Sequence, residues 1–223
     1  MTLPKFKNQR LLETALSHRS SLNEPTVKSG KESYERLEYL GDAVLELATT
    51  EWLFHAHPEE PEGVLTAYRS ALVKTSTLAT VAKELNLGEK MYISHGEEAT
   101  GGRQNDSLLA DVFEAVVGAL YLDQGYTAVE TFLKKVLFPK FEKIKADKLY
   151  QDHKSLYQEM IQAKGLPTPS YEVMKEEGPD HSKIFTVNVL VKKTVTGTGT
   201  GKSKQQAQQE AARSALEKLK EER

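Results

Sequence analysis

Carboxylates at helical spacing occur in two stretches, YERLEYLGDAVLEL (34–47) and SLLADVFEAVVGALYLD (107–123). At about 3.6 residues per turn, Glu35, Glu38, Asp42 and Glu46 share one stripe that no lysine interrupts. Like charges so placed destabilise a helix by about 0.2–0.5 kcal/mol per pair, so helix stability does not account for them. In the second stretch, Asp111 and Glu114 sit among Leu108, Leu109, Val112, Phe113, Val116, Val117 and Leu120, a surround apolar enough to bury the helix. A buried carboxylate without a partner is costly, so a cation or a set of hydrogen-bond donors must meet both groups. Hard oxygen donors on two rigid helices suit Mg2+ or Mn2+.

Each cluster also has a plainer explanation. Leu37, Leu40, Val44 and Leu47 lie opposite the first stripe, which would then be the solvated face of an amphipathic helix. Asp111 could compensate a helix dipole in an early turn after Asp106 or Ser107. Glu114 is too deep in the helix for that. Gly118 follows one turn later on the same side, where a missing side chain admits a close approach.

The elements that must position these groups follow from composition and periodicity. At 223 residues the chain can bury one large core or two modest ones. It has no cysteine, which excludes disulfides, thiolate metal sites and a cysteine nucleophile. The first ten residues lack an apolar signal core, and no apolar run approaches the roughly 20 residues of a membrane span, so a soluble, cytoplasmic protein is expected. The formal net charge is -2. Beyond residue 151 the chain carries 12 Lys plus Arg against 10 Asp plus Glu, so a basic surface must come from placement rather than total charge.

Apolar spacing of three and four predicts helices over 9–16, 34–55, 64–85, 107–124 and 126–143, with Pro61 opening a helix and Glu62 in its first turn. Residues 101–103 read as a loop. The lysine-rich stretch 140–152 reads as a linker, so an all-helical domain is expected over 1–145, a connection over 146–151 and a second domain over 152–223. There Asp152 can cap a helix through Ala163, strand alternation appears at 171–174 and 185–191, and a glycine-studded turn (Gly197, Gly199, Gly201) leads into a last helix over 203–219. Helix, three strands, helix is a small α+β module.

The strings ERLEYLGDAVLEL and LADVFEAVVGALYLD resemble the paired signatures of the ribonuclease III nuclease domain. LPTPSYEV, GPDHS and GTGTGKSKQQAQQEAA resemble a double-stranded RNA-binding domain, and the two cover nearly the whole chain in the order of a short bacterial ribonuclease III. The resemblance implies that Glu38, Asp42, Asp111 and Glu114 are metal-binding catalytic carboxylates, with Glu35 and Glu62 in supporting acidic positions. It carries no role for Glu46, which reads as a solvated helix residue. It further implies a homodimer cleaving double-stranded RNA with Mg2+ or Mn2+ to leave 5′-phosphate and 3′-hydroxyl ends, in rRNA and mRNA processing. Tyr39, Leu40 and Leu45 offer apolar material for a dimer interface, though core packing explains them equally well.

An A-form duplex is recognised by shape, 2′-hydroxyls and phosphates. Lys202 and Lys204 stand at the start of the last helix, where the helix terminus already favours phosphate. The resemblance adds Gln158 and Glu159 on the first helix of the module and His181 in the GPDHS loop. One departure stands out: the family's adjacent lysines, with an acid after the alanine, are here Lys204 then Gln205, with Gln208 in the acid's place. One phosphate contact fewer is expected, and with it weaker and less salt-sensitive binding. His55 and His57, two apart, do not share a helical face and read as surface residues, and His18 reads as a structural histidine. Three alternatives remain at this level: a non-enzymatic duplex-RNA binder, against which the intact carboxylates argue; a helical phosphohydrolase for small nucleotides, against which the C-terminal module argues; and metal-independent histidine catalysis, which would survive chelation.

Overall fold

The computed structural model of the chain describes residues 1–26, 32–146, 150, 152–179 and 183–221. Contacts divide the chain into two units, Met1–Tyr150 and Gln151–Arg223. The first unit is built of α1 (Gln9–Ala15), α2 (Glu35–Ala56), α3 (Glu62–Val73), α4 (Thr75–Glu84), α5 (Leu87–Lys90), α6 (His95–Ala99), α7 (Asp106–Gln124), α8 (Tyr126–Val136) and α9 (Lys140–Ala146). Short 3-10 turns occupy Arg19–Asn23 and Gly102–Gln104. None of the described helices is long and apolar enough to cross a membrane.

The apolar residues of α7 surround its axis, so it runs through the middle of the unit, against α1, α2, α4 and α8. Asn105 caps it, its side-chain oxygen accepting from the Ser107 and Leu108 N–H groups. The close approach expected at Gly118 is that of α2. A Cβ on Gly118 would lie 2.2 Å from the Leu37 carbonyl oxygen, and one on Gly41 would lie 1.8 Å from the Glu114 carbonyl oxygen. Two glycines therefore let the backbones of α2 and α7 touch.

Several elements differ from the sequence expectation. The single helix over 64–85 is α3 and α4, broken at Lys74, whose backbone is extended. The Thr77 hydroxyl holds that corner by donating to the Ala71 carbonyl at 2.8 Å. The apolar spacing runs across the break because both helices face one core. The helix expected over 126–143 stops at Val136 and restarts at Lys140, and Pro139 between them lacks the N–H a continuous helix needs. Lys140–Ala146, read as linker, is a helix with Phe141 and Ile144 buried in the core. Phe141 joins an aromatic cluster: Trp52 stacks on Phe138 at 4.3 Å, Phe141 meets Tyr68 edge-on at 4.9 Å, and Tyr150 sits edge-on to Tyr68 at 4.6 Å. His57 belongs to the same cluster, 4.8 Å from the Phe141 ring, and is partly buried rather than a surface residue, whereas His55 is exposed.

The second unit comprises α10 (His153–Ala163), β1 (Ser170–Glu177), β2 (Ile184–Val191), β3 (Thr194–Gly201) and α11 (Lys204–Glu221). The strands form an antiparallel sheet in the order β1-β2-β3. Asp152 caps α10 by accepting from the Ser155 N–H at 3.2 Å. Val187, Val189 and Val191 form a core with Tyr157, Ile161, Ala207, Ala211 and Ala215. The glycine-studded segment is not a turn but β3 itself. Gly197, Gly199 and Gly201 alternate along it, and a Cβ on any of them would come within 2.6 Å of the α11 backbone. Glycine there records helix-on-strand contact, which local propensity reads as a turn.

The crossing of α2 and α7 gives the first prediction. Gly118→Ala should destabilise the first unit by about 1–3 kcal/mol through overpacking against the Leu37 carbonyl. A urea midpoint equal to that of the parent protein would contradict the crossing.

Candidate active site

Glu38 comes from the first turn of α2, and Asp111 and Glu114 from successive turns of α7. The glycine crossing brings them together: one carboxylate oxygen from each lies within 4.8 Å of the others. All three are partly buried. Asp42, one turn beyond Glu38, is exposed and lies outside this tight group, yet its charge is the largest electrostatic influence on Glu114 after burial itself.

Electrostatics follow from crowding. Burial, then Asp42, Asp111, Glu38 and Glu46, push the Glu114 carboxyl up to about 8. Glu38 is raised by burial and by Asp111, Glu35 and Asp42. Asp111 is raised by burial, but a hydrogen bond from Tyr34 and the charge of His18 act against that. Among the described residues, no lysine or arginine pairs with any of the three to neutralise this acidic pocket.

Tyr34 escaped the sequence reading. It is buried at the start of α2, its N–H donates to the Ser17 carbonyl at 2.9 Å, and its hydroxyl favours the charged form of Asp111. Burial and the neighbouring acids hold that hydroxyl well above the ordinary tyrosine range, so it stays a donor. Beside it, 5.8 Å between ring centres, lies His18. His18 is buried and structural as expected: its Nδ1 faces the Ser20 N–H and hydroxyl, capping the 3-10 turn. A lone bridge between Ser17 and Tyr92 holds this segment against the chain before α6. No local pattern announces such a long-range tie.

The remaining acidic residues divide. Glu35 is exposed, accepts from the Ser33 hydroxyl and stands 3.8 Å from Arg19. Glu46 is not merely solvated, since Arg69 of α3 pairs with it at 2.9 Å. Glu62 is the first residue of α3 after the Pro61 cap and lines a recess with Thr50, Phe54 and Arg69 at the far end of α2. Twelve residue steps along α2 from Glu38 to Thr50 put that recess about 18 Å along the helix axis from the acidic cluster. One chain therefore does not bring Glu62 to the others.

In the second unit Gln158 and Glu159 are exposed on α10, and Gln158 shares an open polar cleft with Gln205. Lys202 and Lys204 are exposed at the start of α11, and the Lys204 ammonium pairs with Glu176 of β1 at 2.9 Å. Ser203 and Gln206 cap this helix: the Gln206 N–H donates to the Ser203 hydroxyl, and the Lys202 N–H donates to the Gln206 side chain. His181 lies outside the described residues.

Comparison with known proteins agrees in both units. Residues 8–141 match the Ribonuclease-III-like family, and residues 153–219 match the double-stranded RNA binding motif. Ribonuclease 3 of Bacillus licheniformis is 46% identical over 215 residues, spanning 96% of this chain and 86% of that one. The ribonuclease III nuclease domain of Campylobacter jejuni, a structure concerned with flexibility in its dimer-forming region, is 38% identical with a TM-score of 0.55, covering 60% of this chain and 92% of that one. Dicer from Pichia stipitis is 27% identical, covers 97% of both chains and gives a TM-score of 0.50. With both halves matched in order and the relatives aligned nearly end to end, the chain belongs to the ribonuclease III family of endoribonucleases and carries a double-stranded RNA-binding domain.

Proposed function

We propose that the chain hydrolyses double-stranded RNA with Mg2+, or Mn2+, held by Glu38, Asp42, Asp111 and Glu114, leaving 5′-phosphate and 3′-hydroxyl ends. The observation that carries this reading is the group of three carboxylates within 4.8 Å, uncompensated by any basic side chain among the described residues. Oxygen-only donors of this charge fit a hard divalent cation. When bound, such an ion lowers the pKa of a water and stabilises charge on the phosphoryl and leaving oxygens.

The residues of the chain have separable tasks. Glu114, protonated near neutral pH by its surroundings, gives up that proton to become a ligand. Tyr34 favours the charged form of Asp111, and Glu38 approaches from the other helix. Asp42 adds negative field at the exposed side. His18, the histidine beside the acidic cluster, is buried with Nδ1 engaged by Ser20, and chelation separates the metal-dependent reading from histidine catalysis. Structured rRNA precursors and mRNAs in the cytoplasm are the proposed substrates, bound through Gln158, Glu159, His181, Lys202 and Lys204.

Cutting both strands calls for two centres, so we place a homodimer in this reading. Its support is an unpartnered apolar row on α2: Tyr39 is 83% exposed, and Leu47 and Phe54 are exposed along the same helix. Beside Tyr39 lies a recess of about 760 Å³ lined by Leu11, Leu37, Leu40 and Leu122. Leu45, by contrast, is wholly buried in the core and offers nothing to a partner. A supporting role for Glu62 in this scheme requires a second copy to carry it towards the first copy's cluster.

Three outcomes test the reading. Glu114→Gln should abolish cleavage of a long RNA duplex in Mg2+ while retaining duplex binding, and EDTA should silence the parent protein; normal turnover in either case removes the assignment. Tyr39→Glu should convert a dimer to a monomer by light scattering, and an unchanged mass would exclude that face as the interface. The third outcome concerns pH. Because Glu114 titrates at about 8 when folded and near 4.5 when unfolded, the metal-free folded state holds the extra proton between those values. Thermal stability in chelator should therefore fall as pH rises from about 4.5 to 8 and level off above, with Glu114→Gln flattening the fall. A midpoint rising through that window would contradict it.

A further inference from the structure

Lys154 lies in the first turn of α10, facing α11. Its ammonium donates to the Gln208 side-chain oxygen at 2.7 Å and stands 4.8 Å from the centre of the Tyr171 ring. Both partners are neutral. They orient the cation without cancelling its charge, and among the described residues no carboxylate pairs with it. Asp152, two residues away, is engaged otherwise, accepting from Ser155 and from the Gln209 side chain. Lys204 is the opposite case, since Glu176 compensates it at 2.9 Å.

The surroundings of Lys154 are open and polar. It lines a cleft of about 310 Å³ with Ser155, Gln158, Tyr171, Gln205 and Gln209, and with Asp152, whose carboxylate is taken up by Ser155 and Gln209 rather than by the lysine. The Tyr171 hydroxyl is buried there without a hydrogen-bond partner among the described residues. A cation already held in one rotamer loses little freedom when a ligand arrives, and one held by neutral groups need not first break an ion pair. Both properties favour an anionic ligand at this place over a purely structural cross-link.

We infer that Lys154 is a phosphate-binding residue of the C-terminal unit, supplying from α10 the cation that Gln205 does not supply from α11, with Gln208 as the residue that leaves its charge uncompensated. The inference rests on duplex RNA being the ligand of this unit. It offsets in part the deficit expected from Gln205, because Lys154 supplies a cation in the same cleft.

The test uses the full chain and a labelled perfect RNA duplex in chelator, with affinity measured by anisotropy across a series of KCl concentrations. Lys154→Gln should lower the slope of log affinity against log salt by about one unit, while Lys154→Arg keeps it. Gln208→Glu retains the lysine but gives it an acid that competes with phosphate, and should weaken binding roughly two- to fivefold at a fixed low salt. It should add nothing in the Lys154→Gln background. An unchanged slope in Lys154→Gln, with or without a lower melting temperature, would leave the lysine a structural link and overturn the inference. Should Lys154→Gln fail to fold, undiminished affinity in Gln208→Glu overturns it alone. A parent protein that binds no RNA duplex removes the underlying reading and this inference together.

Discussion

The approach of α2 to α7 at Gly41 and Gly118 is the constraint on which the acidic site depends. Glu38 lies one turn before Gly41, and Glu114 one turn before Gly118. Separating the helices by the width of a methyl group would pull carboxylate oxygens out of common reach. The crossing also forces like charges into a half-buried space, which raises the affinity of Glu38, Asp111 and Glu114 for protons. Local stability is traded for a site avid for positive charge. The apolar shell of α7, with Val112, Phe113, Val116 and Val117 fully buried, holds the arrangement against that repulsion.

Much of this was legible in the residues. The carboxylates stood at helical spacing, the apolar surround of Asp111 and Glu114 demanded compensation, and Gly118 marked a close approach whose partner only the fold could name. What stayed hidden depends on contacts distant in sequence. Tyr34 matters because the Ser17–Tyr92 bridge and His18 pin the segment that delivers it. Lys74 breaks a helix without glycine or proline, at a corner secured by Thr77 and Ala71. Glu62 shared acidic chemistry with the cluster, but the length of α2 keeps it away.

The C-terminal unit shows the converse failure. Its alternating valines were plain, yet Gly197, Gly199 and Gly201 pointed to a turn when they form a strand pressed against α11. Small residues on both sides, including Ala207, Ala211 and Ala215, let a helix lie on a sheet with little side chain between them. At the margin of that tight seam Gln205, Gln208 and Lys154 gather.

The stacking of Trp52 on Phe138 has an optical corollary. Trp52 is the sole indole of the chain, and its aromatic neighbours all belong to the helical unit. Intrinsic emission excited at the red edge of absorption thus reports on one half of the molecule and is blind to the other. Paired with far-ultraviolet dichroism, which sees both halves, it separates their melting without a label or a truncated chain.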